Sequence, residues 1–186
     1  MVSGVQPTGK GQQKEEEVIF ETKRTMVRPM QKTDIDGFAE LEANPNVVMY
    51  TGYPTATFEE AVKDLDFILE NYEMTPPEKL IYSVIHKDSN DFLGTVALLP
   101  YKDKTWEIGY RFLERHWGKG YASELVPALI QYGLSQPQID KIYAEADVKN
   151  TASIKILERN MEFQDEVWNE KIGCRDRQYI CGHIST

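Results

Sequence analysis

The chain has 186 residues, 41% of them hydrophobic and 27% charged, which is enough for one domain with a packed core and too little for two. Its formal net charge is −9; the first seventeen residues hold two Lys and three Glu, so the remainder keeps −8. Negative charge of this size keeps a protein soluble, repels nucleic-acid phosphates and attracts amines and basic peptides, while the lack of a long apolar run or a signal-peptide core argues against a membrane span and for the cytoplasm.

Residues 1–17 combine Gly, Gln, Pro and charge with almost no apolar side chain, and are expected to form a disordered tail ahead of a single domain over 18–186. A strand is predicted over about 18–29, and Thr33 is placed to cap a helix that runs to Ala43 and stops at Asn44-Pro45-Asn46. Thr57 and Glu60 stand in capping-box relation ahead of an amphipathic helix over Phe58 to Tyr72. Strands then follow over 80–85, 92–99 and 105–112, the first two joined by the turn Asp88-Ser89-Asn90-Asp91, as an antiparallel meander. A helix is predicted from Gly120 to about Leu134, with Pro127 able to bend it, then a strand over 141–148, a helix over 151–159, and closing strands over 163–168 and 175–184. Helices interleaved with strands of a mixed sheet define an α/β domain with a ligand crevice at strand ends.

The segment from Thr105 to Glu124 carries the most chemical information. Trp106, Ile108, Tyr110 and Phe112 alternate with Glu107, Gly109 and Arg111, so one strand face is apolar and the other carries a carboxylate. Arg115-His116-Trp117-Gly118-Lys119-Gly120-Tyr121-Ala122 then reads as strand exit, glycine-rich turn and helix start. Glycines at 118 and 120 let the backbone approach a ligand, and the first amides of the helix lack intrahelical acceptors. Together with the positive end of the helix dipole they form a cradle for an anion such as a pyrophosphate. A Walker-type phosphate loop is excluded, because Leu113 stands where its first glycine belongs and Gly120 where it needs Ser or Thr.

With Trp106-Glu107-Ile108-Gly109-Tyr110 before this turn and Asn150-Thr151-Ala152-Ser153 after it, the sequence resembles the GCN5-related N-acetyltransferase (GNAT) family. It is most similar to the branch of the ribosomal-protein alanine and serine N-acetyltransferases. The family's Arg/Gln-x-x-Gly-x-Gly/Ala signature stands here as Arg115, Gly118 and Gly120, and Thr22 to Pro29 resembles the branch's opening strand. The resemblance implies a mostly antiparallel sheet of about seven strands with about four helices. It also implies an acetyl-CoA-dependent acyltransferase that moves an acetyl group directly to a primary amine, without a covalent enzyme intermediate or a metal. One departure is Glu162, which precedes Phe163 where family members usually carry glycine.

The resemblance, set against what the reaction needs, implies the roles that follow. Glu107 is the candidate general base for the amine, directly or through water, and Ser153 the candidate general acid for the leaving thiolate, with Tyr143 and Tyr179 in reserve. Amides of Arg111, Phe112 and Leu113 are expected to meet the pantetheine arm, one of them polarising the thioester oxygen. Backbone from Trp117 through Gly118, Lys119, Gly120 and Tyr121 to Ala122 is expected to hold the pyrophosphate, with charge from Arg115 and Lys119. Asn150 either contacts pantetheine, orients Ser153 or caps the helix that follows it. His116 is expected to face solvent. Cys174 and Cys181, without CxxC spacing, are expected to be free thiols. Branch resemblance favours a protein amino terminus as acceptor; a polyamine, amino sugar or aminoglycoside and a non-catalytic acyl-CoA-binding module are the alternatives. Neither nucleic acid nor membrane is an expected partner, and the chain is expected to be a monomer or homodimer.

Overall fold

The computed structural model describes residues 17–75, 77–170 and 172–182; the expected tail lies outside them apart from Glu17. The expected opening strand divides into β1 (Phe20–Glu21) and β2 (Thr25–Pro29), an antiparallel hairpin pairing Phe20 with Val27. The amide of Thr22 donates to the carbonyl of Thr25 at 2.8 Å, closing the turn inside what the apolar pattern alone reads as one strand. Next come α1 (Ile35–Ala43), the single-turn α2 (Pro45–Val48) and α3 (Phe58–Asn71). Thr33 does not cap α1. It lies in a 3-10 turn, Lys32–Asp34, whose N-cap is Gln31, the Gln31 amide donating to Asp34 Oδ2 at 2.9 Å in a capping box; Asp34 holds the N-cap position of α1 without a side-chain cap bond. The Thr57/Glu60 capping box forms as the sequence indicates.

The meander is β3 (Leu80–His86), β4 (Phe92–Lys102) and β5 (Thr105–Phe112), followed by α4 (Tyr121–Ser135), β6 (Lys141–Asp147), α5 (Thr151–Asn160), β7 (Glu162–Asn169) and β8 (Cys174–Gly182). The described residues form one eight-stranded sheet in the order β1-β2-β3-β4-β5-β6-β8-β7, antiparallel except where β5 runs parallel to β6. The strand count exceeds the expected seven because the opening strand is a hairpin. Glu162 opens β7 opposite Ile180 without a positive φ, so no glycine is required there, and the register shifts between Phe163 and Asp165.

Two helical layers cover opposite faces of the sheet. On one, Leu125, Leu129, Ile154 and Leu157 of α4 and α5 pack on Val96, Ile108, Ile142 and Ala144. On the other, Phe38 and Leu41 of α1 and Ala61, Leu65 and Ile68 of α3 pack around Met30 and Leu113. Pro127 sits within α4 without ending it. The first layer covers the apolar face of β5, so Glu107 and Arg111 fall on the second face, where α1 binds Arg111 through Glu42 at 2.5 and 3.1 Å.

Candidate active site

The parallel pairing of β5 with β6 stops at Glu107 opposite Tyr143. Beyond it, residues 144 to 147 of β6 pair only with β8, so the two strands part and leave a wedge at the carboxyl end of β5. Alternation along the β4–β5 ladder decides which amides line the wedge. Leu113 N–H donates to Leu93 O at 2.9 Å, so Leu113 and Arg111 present their backbone to β4, while Tyr110 and Phe112 present theirs to the gap. Of the expected trio, Phe112 thus lines the gap together with Tyr110, while Arg111 and Leu113 are paired to β4.

The turn between β5 and α4 follows directly on the carboxyl end of β5. Gly118 and Gly120 have φ of +71° and +80°, in the left-handed region that residues with a Cβ rarely adopt. No hydrogen bond within the described residues uses the amides of Gly118, Lys119, Gly120, Tyr121, Ala122 or Ser123, and a Cβ on Gly118 would meet nothing within 4 Å. Six unsatisfied donors beside open space and a helix amino terminus suit a diphosphate. Side chains around this turn have partners of their own. Arg115 is ion-paired with Glu40 on α1, and the indole of Trp117 donates to Phe112 O at 2.7 Å while remaining 47% exposed. Lys119 is exposed.

Sequence reasoning missed the brace beneath this turn. Arg24, from the β1–β2 hairpin, donates to Lys119 O at 3.0 Å and lies over the Tyr121 ring at 4.5 Å. Both its backbone N–H and its Nε bind the Glu124 carboxylate at 2.7 Å. Burial alone would raise the pKa of Glu124, but Thr22 and Arg24 outweigh it and hold the carboxyl at about 2. Tyr121 also stacks on Phe112 and meets His116 edge to face. His116 therefore departs from the expected solvent-facing role: both ring nitrogens are buried without a partner. Burial, followed by the charges of Arg115 and Lys119, lowers its pKa.

Glu107 occupies the apex of the wedge on the face opposite α4. Its pKa is raised to about 7 by burial first, and then by the carboxylates of Glu145 and Asp176 on β6 and β8. Tyr143 lies on this same face, stacked on Tyr101 with ring centroids 4.5 Å apart and donating to Glu145 Oε2 at 2.7 Å. Across the wedge, Asn150 caps α5 by accepting the Ser153 N–H at 3.1 Å, and Ser153 Oγ stands 2.6 Å from the phenol oxygen of Tyr110. Tyr179 is fully buried, edge to face with Phe163, so it packs the core. Cys174 and Cys181 are free thiols; burial and then Asp176 push the first up to about 12. Among the described residues no helix is long and apolar enough to cross a membrane.

Residues 24–160 match a family described as the acetyltransferase (GNAT) domain. The N-acetyltransferase p20 of Bacillus licheniformis is 30% identical over 147 residues, covering 78% of this chain and 82% of its own. Among solved structures, a Salmonella typhimurium acetyltransferase that modifies the N-terminal serine of a 50S ribosomal subunit protein superposes with a TM-score of 0.75 at 16% identity, covering 89% of this chain and 99% of its own. Spermidine N-acetyltransferase from Vibrio cholerae, in complex with CoA and spermine, gives 0.73 at 18% identity, with coverage of 86% and 95%. At such identities the two structures establish likeness of fold.

Proposed function

The chain belongs to the GNAT acetyltransferase family and is an acetyl-CoA-dependent N-acetyltransferase, and on that premise we propose that its acceptor is the amino terminus of a protein. One observation supports the site assignment: β5 and β6 part just beyond Glu107, and Ser153, beside its cap Asn150, meets Tyr110 of β5 across that gap, with the free-amide turn following β5. The residues present fit acetyl-CoA. The amides of Gly118 to Ser123 would hold its diphosphate, and those of Tyr110 and Phe112 its pantetheine arm. Acetyl-CoA bound there supplies an activated acyl group with a thiol as leaving group.

The chain's own groups supply the proton transfers. With its pKa near 7, Glu107 is substantially ionised at neutral pH and basic enough to take a proton from an acceptor amine. Ser153 Oγ–H, fixed by the cap of α5, delivers a proton at the opposite wall. Arg115 and Lys119 are proposed to add charge at the turn, Arg115 by exchanging Glu40 for phosphate oxygen. The protein-terminus reading draws support from the Asn150/Ser153 pair of the ribosomal-protein branch and from the named activity of the Salmonella neighbour. A small cationic amine is the second reading, favoured by the carboxylates of Glu107, Glu145 and Asp176 on one sheet face. A cytoplasmic location suits either acceptor.

Mass-spectrometric acetylation of a mixed panel decides between them. The panel holds peptides with different amino-terminal residues, polyamines and aminoglycosides, offered to the wild type, Glu107→Gln and Ser153→Ala. Acetylation confined to peptide amino termini, lost in both variants, is the expected result. Acetylated polyamine alone would establish the second reading.

A further inference from the structure

On the reading of Ser153 as the proton donor, we propose that Tyr110 is a positioning residue whose phenol O–H donates to Ser153 Oγ across the wedge, leaving the serine's single hydrogen free for the departing sulfur. The two oxygens are 2.6 Å apart, one on β5 and one at the start of α5, so the bond spans the two walls where the sheet has no ladder.

Distance alone leaves the direction of this bond open. A phenol is the stronger donor and an aliphatic hydroxyl the better acceptor, since the phenol ionises near pH 10 and the alcohol far above it. Burial raises the Tyr110 pKa further, with its bond to Ser153 opposing, so the phenol keeps its hydrogen throughout the working pH range. The Ser153 backbone is fixed as well, because its N–H is spent on Asn150 Oδ1. Once Ser153 Oγ accepts from Tyr110, its hydrogen turns away from the phenol. In the opposite direction that hydrogen would be consumed within the protein.

The proton balance closes. As the carbon–nitrogen bond forms, the carbon–sulfur bond breaks with its electron pair on sulfur. Ser153 passes its hydrogen to that sulfur and regains one from water, to which Glu107 gives up the proton taken from the amine, while Tyr110 keeps its own hydrogen and holds the serine oxygen in place. An amine and a thioester become an amide and a thiol.

Tyr110→Phe removes one oxygen and retains the ring, and Ser153→Ala and the double variant complete a cycle, with thermal midpoints as folding controls. Tyr110→Phe should lower kcat about 10- to 100-fold, within the span of a single proton-transfer group, with KM for acetyl-CoA changed by less than roughly threefold. The double variant should be no slower than Ser153→Ala, because the two act as one unit. A readout independent of turnover is the ionisation of free CoA thiol bound to the enzyme, followed by thiolate absorbance against pH. Losing a donor oriented at sulfur should raise its midpoint by about one unit in Tyr110→Phe and in Ser153→Ala alike. An unchanged kcat and thiol midpoint in Tyr110→Phe, alongside an impaired Ser153→Ala, would overturn this inference and leave the serine's role standing. Full activity in Ser153→Ala would remove the reading on which it rests.

Discussion

Glu107 ties the chemistry to a measurable proton. Its carboxyl is desolvated and faces two like charges, so the folded protein holds its pKa at about 7, above the ordinary 4.5. On the proposed base role the ionised form accepts the proton, so kcat/KM should rise with pH through an acid limb near 7, and Glu107→Gln should abolish that limb with a loss of about 100-fold or more. Stability runs the other way. A raised carboxyl pKa contributes stability below the unfolded value and loses it as pH rises through the folded one. Glu107→Gln should therefore have a higher thermal midpoint than wild type at pH 8, an advantage that disappears near pH 4. Alternation in 105–112 was enough to put Glu107 on the face away from Trp106. The carboxylates that tune it, Glu145 and Asp176, lie 38 and 69 positions away in the chain, and no local pattern links them. His116 illustrates the same limit: a histidine in a glycine-rich turn reads as exposed until the ring of Tyr121 covers it.

At the scale of elements, the turn into α4 was legible because its geometry is local. Positive dihedrals at Gly118 and Gly120, and amides freed by a helix start, follow from contiguous residues. Gly118→Ala would meet no atoms, so any effect must come from the backbone. Forcing a Cβ into the left-handed region costs about 1–2 kcal/mol, and the turn should relax away from it. Acetyl-CoA affinity measured by calorimetry should fall about tenfold while the thermal midpoint of the ligand-free protein moves little. The 3-10 turn ahead of α1 depends on a longer-range set. Asp34 receives Arg28 at 2.8 Å through both oxygens and the Ser83 hydroxyl at 2.6 Å, in a buried setting. Burial raises the Asp34 pKa, and these donors together bring it below the ordinary value. Asp34→Ala would strand the Arg28 charge, and chemical denaturation should register a loss of about 3–5 kcal/mol. The sequence points to Thr33 as cap because threonine commonly plays that part. Asp34 stands at the N-cap position instead, its carboxylate spent on the Gln31 amide and on Arg28 and Ser83, which β2 and β3 bring to it.

Across the whole molecule, the hairpin at one edge of the sheet braces the turn that starts α4. Glu124 accepts from Thr22 and Arg24, about a hundred positions away, and keeps its pKa at about 2. A depressed carboxyl pKa contributes stability above the unfolded value of about 4.5 and loses it as pH falls toward the folded one. The Arg24 partner is 37% exposed, which limits the contribution to about 1 kcal/mol after solvent screening. Glu124→Gln should thus lower stability by that amount at pH 7, with the difference from wild type shrinking between pH 4.5 and 2 in acid titrations of unfolding. The sequence by itself determined the α/β class, the meander, the helix starts at Thr57, Gly120 and Asn150, and the glycine turn ahead of α4, because dihedral preferences, hydrophobic period and capping act within a few residues. Tertiary structure alone decided that Tyr110 meets Ser153, that Arg115 pairs with Glu40, and that three carboxylates from β5, β6 and β8 share one face. These contacts depend on the strand order and on where β5 parts from β6, and both are set by the packing of helices on the two sheet faces.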